Sequence, residues 1–135
     1  MASIRKEVVV RTPPGKVWDA VRDIGALHTR LVPGFVADTK LEDGARVVTF
    51  GNGIVARERI VTVDDEARRL VWSVVGGRPE HHNGALQVFA AEGGGSRLVW
   101  IADVLPDSLA GTIDGMMSHG MSVMQKTLDG AEGDN

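Results

Sequence analysis

An α+β fold is what this sequence predicts: a seven-stranded curved antiparallel sheet gripping one long C-terminal helix, with two short helices between strands 1 and 2. Two observations carry that reading. The first is an apolar stripe near the C terminus, in which Leu109, Ile113, Met116, Met117, Gly120, Met121, Met124 and Leu128 recur at spacings of three and four. At about 100° per residue these positions share one side of a helix. The second is a run of six strand-like segments upstream, separated by breaks mostly too short to hold a crossover helix, so that neighbouring strands pair antiparallel. Such a sheet cannot bury a face alone, and only the terminal helix is long enough to fill its hollow.

The elements follow in order. Residues 4–11 alternate and are rich in valine, which gives a first strand with Ile4, Lys6, Val8 and Val10 on one face. Thr12-Pro13-Pro14 ends it. Thr12 is a candidate cap, and proline suits a first helical turn, where an amide has no partner. Val17, Trp18, Ala20, Val21 and Ile24 form a short amphipathic helix broken at Asp23-Ile24-Gly25. Residues 26–31 form a second short helical piece, stopped by Val32-Pro33-Gly34. The further strands are 35–41, 45–51, 54–64, 69–75, 83–91 and 96–105, punctuated by turn chemistry such as Glu42-Asp43-Gly44 and Gly76-Gly77-Arg78-Pro79. The long helix covers 107–128, with Asp107 or Ser108 as its cap after Pro106. It is about 33 Å long. Its glycines, Gly111, Gly115 and Gly120, each cost roughly 1 kcal/mol relative to alanine, so this helix depends on what it packs against. Four of the five methionines lie on it. Unbranched thioethers suit irregular or changeable surfaces, which makes this face a candidate roof for a ligand cavity as well as core.

A chain of 135 residues holds one domain, read as 1–130 with a flexible tail over 131–135. The absence of cysteine removes disulfides, thiolate nucleophiles and cysteine-ligated metals. A net charge of −3 with no basic block argues against a nucleic-acid partner. No stretch approaches the roughly 20 apolar residues of a membrane span, and the first residues carry no apolar signal run. A cytoplasmic location is the expectation. No HExxH pattern occurs, and His81-His82 cannot both chelate one ion from an ordinary strand, so no metal site and no cofactor are expected.

Several local pieces, in this order, resemble the START-like (SRPBCC) helix-grip superfamily, which includes the bacterial polyketide cyclase/dehydrase group and the plant abscisic acid receptors. They are Pro13 to Asp23 with Val17-Trp18, Arg57-Glu58-Arg59-Ile60 followed by Val63-Asp64-Asp65, Val74-Val75-Gly76-Gly77, and the strand from Ser96 to Trp100 before Pro106. The resemblance covers nearly all of residues 3–129. It implies a cavity between sheet and helix for an apolar or amphipathic small molecule. A methionine-lined helix over a curved sheet with few inward charges makes binding or carrying a hydrophobic compound, such as a lipid, polyketide or isoprenoid-like molecule, the leading function. The receptors' gating motif is absent, since the corresponding loop is Gly51-Asn52-Gly53, and their latch is replaced by Arg78-Pro79-Glu80-His81-His82. No lysine near Val36 to Asp38 can anchor a carboxylate as theirs does. Abscisic acid sensing is therefore not implied.

Strand alternation selects the inward residues. Ala56, Glu58 and Ile60 share a face, as do Leu70, Trp72 and Val74, and also Leu98, Trp100, Ala102 and Val104. The resemblance turns Glu58, Trp72 and Trp100 inward, with Gly84, Leu86 and Val88 inward on the strand between. The expected ligand-binding set is Glu58, Ile60, Trp72, Val74, His81, Gly84, Leu86, Trp100, Met116, Met117, Gly120 and Met124. Glu58 stands out, because a carboxylate facing an apolar cavity must find a partner. It is read either as the polar handle of the site or, if the register slips by one, as a surface residue paired with a neighbouring arginine. His81 and His82 flank the turn before the fifth strand, at the expected cavity mouth, and only one can face inward. In the alternative reading, a polyketide cyclase/dehydratase-type enzyme, Glu58 and His81 would move protons. A third class is an interaction module, a homodimer through the outer sheet face or the Gly76-Gly77-Arg78-Pro79 loop.

Overall fold

The computed structural model describes residues 1–133. One sheet of seven antiparallel strands runs in the order β1-β7-β6-β5-β4-β3-β2. The strands are β1 (Ala2–Val10), β2 (Val36–Glu42), β3 (Ala45–Phe50), β4 (Val55–Asp64), β5 (Arg69–Val75), β6 (His81–Ala90) and β7 (Ser96–Leu105). Between β1 and β2 lie α1 (Pro14–Arg22) and two short turns, a 3-10 turn at Ile24–Ala26 and a wider π turn at Leu27–Leu31. The chain ends in α2 (Ala110–Gly133), led in by a single 3-10 turn at Asp107–Leu109. No helix of the described residues is long and apolar enough to cross a membrane.

The differences from the sequence reading sit at element ends. β6 starts at His81, two residues earlier than expected. α2 runs on past Leu128 to Gly133, so the flexible tail expected over 131–135 otherwise falls on 134–135, outside the described residues. Neither expected cap forms. The Asp107 carboxylate instead takes the Met1 ammonium at 3.1 Å, and no side-chain bond caps that turn. Thr12 leaves α1 uncapped because its hydroxyl donates to Leu128 O at 2.6 Å, at the far end of α2.

The sheet bends because two strands carry an extra residue. Register shifts fall between Val36 and Asp38 on β2 and between Ile60 and Thr62 on β4, and a bulge increases local twist and bend. The core lies between the concave face and α2. Val10, Leu98 and Met117 are among its fully buried side chains, with Met121, Met124 and Leu128 beside them. Helix and sheet meet mainly along the β1 edge, where polar contacts join them. Lys6 Nζ donates to Asp114 Oδ1 at 2.8 Å, and Gln125 Nε2 to Val9 O at 3.1 Å. The Arg11 amide donates to Asp129 Oδ1 at 2.9 Å. α2 is therefore fixed against one side of the hollow, and the side formed by β2 to β5 is left without close packing by it.

Candidate functional site

That side holds a cavity of about 650 Å³, within the range that takes a small molecule. Its walls are largely apolar. Leu27 and Leu31 come from the turns after α1, Phe35 and Val36 from the start of β2, Trp72 and Val74 from β5, and Ile113, Met116 and Met124 from α2. The cavity opens between the β3–β4 turn, at Gly51 to Ile54, and the β5–β6 turn, at Gly76 to Pro79. At that mouth Ile54 and Val55 are exposed, at 61% and 60%.

The polar centre is an ion pair. Arg46 on β3 and Glu58 on β4 stand directly opposite each other in the register, and alternation turns both inward along with Val48 and Ala56. Arg46 Nε donates to Glu58 Oε1 at 2.8 Å, and the two side chains keep only 4% and 9% of their exposure. The guanidinium reaches Ile24 O at 3.4 Å and lies 5.6 Å from the Trp72 ring centre. Arg46 lies five residues before that turn and Glu58 four after it, which puts the pair about 13 to 17 Å inside the mouth. A buried pair like this gains little net stability, but removing one partner strands the other charge.

His82, not His81, joins these groups. His82 is buried, lines the cavity and pairs across the sheet with Val104, whose side chain is in the core. It shares the parity of Gly84 and Leu86, whereas His81 falls on the opposite parity. Burial, and to a lesser degree the neighbouring His81, hold the His82 imidazole below its ordinary pKa. The Glu58–His81 pairing of the enzyme reading is thus not assembled, and the Glu58 carboxylate is engaged by Arg46.

Of the other expected site residues, Trp72, Val74, Leu86, Trp100, Met116 and Met124 line the cavity with Glu58. Ile60, Gly84, Met117 and Gly120 do not. Ile60 packs partly buried against the core just before the β4 bulge, and Met117 is wholly enclosed. Gly84 is the floor under Trp72, since a Cβ there would sit 2.4 Å from Trp72 Cε2. Gly120 lets the helix close on two aromatic rings, since its Cβ would sit 3.0 Å from Trp100 Cζ3 and 3.1 Å from Phe35 Cε2. The two indoles, 6.2 Å apart and tilted by 54°, form a wall without filling the space. The Trp100 Nε1 hydrogen is the one buried side-chain polar group without a partner among the described residues.

Arg46 was missed, although alternation with Val48 and Phe50 was there to find it. His119 of α2 also lines the cavity, with its ring edge-to-face on Phe35 at 5.2 Å. Among the described residues no three His, Asp or Glu side chains gather to hold a metal ion.

A curved antiparallel sheet holding a long C-terminal helix is a helix-grip architecture. The chain belongs to the family "Polyketide cyclase / dehydrase and lipid transport", which matches residues 1–131. Its fold is similar to that of the protein XoxI from Bacillus cereus, with a TM-score of 0.84 at 19% identity, covering 95% of this chain and 96% of that one. A solution structure from Thermobifida fusca is similar at 28% identity and a TM-score of 0.77, covering 93% and 92%. A START superfamily protein from Mycobacterium smegmatis is similar at 12% identity and 0.71, covering 96% and 95%. No curated protein matches the chain by sequence.

Proposed function

We propose that the protein binds or carries a hydrophobic small molecule, a lipid, polyketide or isoprenoid-like compound, in the space between its sheet and α2. The observation that supports this most is the cavity of about 650 Å³ between two tryptophans and a methionine-bearing helix. The exposed Ile54 and Val55 at the mouth suit an apolar ligand that enters from water or from another carrier.

The test uses Nile red, an uncharged apolar dye. It should bind one to one with a rise in emission, and Met116→Trp, which fills the cavity from the helix side, should abolish that rise. Native mass spectrometry of gently purified protein should show a bound apolar adduct lost in the same variant. A folded protein that fails to bind the dye, or binds it equally well after Met116→Trp, would contradict the reading.

A further inference from the structure

Most of the cavity wall is apolar, and the ion pair buried within it is electrically balanced. Arg46 and Glu58 neutralise each other through one contact, Nε to Oε1. This contact leaves the outer edge of each group unused. Among the described residues Glu58 Oε2 accepts no hydrogen bond and Arg46 Nη2 donates none. Both side chains line the cavity, and the enclosed polar orphan among the described residues is Trp100 Nε1 rather than either of these atoms. The inner end therefore presents one acceptor and one donor, side by side, with no net charge. Leaving such buried groups unmatched is costly, so a site of this kind discriminates by the hydrogen bonds its ligand supplies.

We infer that the ligand's inner end is an uncharged group that both donates and accepts a hydrogen bond, such as a hydroxyl, a phenol or an amide, and that the cavity turns away carboxylates and amines. This rests on the cavity being a ligand site. A carboxylate placed there would meet Arg46 only together with the Glu58 charge. An ammonium would meet Glu58 only together with Arg46. Each would leave water for a site whose own charges are already spent on each other, so its desolvation is not repaid. Insertion tail-first would avoid the repulsion but would press an alkyl chain against the unmatched donor and acceptor.

The experiment displaces Nile red from the wild-type protein near neutral pH with four probes of equal chain length: decanol, decanamide, decanoate and decylammonium. Decanol and decanamide should compete at concentrations at least about ten-fold lower than decanoate and decylammonium, ten-fold being about 1.4 kcal/mol. In the isosteric variant Glu58→Gln, Arg46 is no longer balanced, and decanoate should overtake decanol. A wild-type ranking in which decanoate or decylammonium equals or beats decanol would overturn the inference while leaving the cavity reading intact. Failure of Nile red to bind at all would remove both. The wild-type ranking needs no variant to fold.

Discussion

The two sides of the hollow solve the same burial problem in opposite ways. On the β1–β7 side, α2 lies close against the sheet, Leu98 and Met117 are fully enclosed, and side chains join α2 to β1 at Lys6 and Gln125 and to the chain just after it at Thr12. On the β2–β5 side the same concave face meets short turns and one flank of α2, and the space stays open around an ion pair. One sheet thus carries both a packed core and a cavity. The stability of the first is what permits the second, because an open apolar volume forfeits the dispersion contacts that close packing supplies.

The largest expected effect lies at the open side's polar centre. Arg46→Met strands the Glu58 carboxylate and should cost about 3–5 kcal/mol in denaturant unfolding, whereas Arg46→Met with Glu58→Leu should recover most of that loss. If the double variant were no more stable than the single one, the pair would be a net stabiliser and the contrast between the two sides would weaken.

Two neighbours on α2 sharpen the same contrast. Met117→Ala, in the closed side, should cost about 2–5 kcal/mol, because it opens a void in packed core. Met116→Ala, one residue away but facing space that is already open, should cost less than about 1 kcal/mol. Equal costs would mean that Met116 is packed as tightly as Met117.

The smallest effect is a pH dependence. His82 is held below its ordinary pKa of 6.5 by burial and by His81, so the unfolded chain takes up this proton before the folded one does as pH falls. Stability from this residue is complete above about 6.5 and is lost as pH falls from there through the depressed folded value. Unfolding curves of wild type and His82→Gln should therefore diverge between neutral and mildly acidic pH, with wild type the steeper. Parallel profiles would place His82 in solvent.

The architecture was legible because its signals are periodic. The stripe from Leu109 to Leu128 and the alternation of Leu70, Trp72 and Val74 each need only a count along the chain, and the structure repeats both. The site was less legible because it depends on pairing between strands. Glu58 stood out through the family resemblance and its strand's alternation, but its partner lies on β3, and only the register that sets Arg46 opposite it makes the pair. His81 and His82 show the same limit: the choice between them turns on where β6 begins and which of them faces Val104. Leu27 and Leu31 sit in a single helical turn, and Phe35 at the edge of β2, pieces too short for their pattern to show which way they face.

The most direct measurement follows the methionine methyl groups by NMR while decanol is added, with assignments from single Met→Leu variants. Met116 and Met124 border the cavity, whereas Met117 and Met121 lie in the core without reaching it. The expected result is saturable movement of the Met116 and Met124 signals while those of Met117 and Met121 stay within a small fraction of that change. Four signals that move together, or none that moves, would contradict a ligand cavity confined to the open side of the sheet.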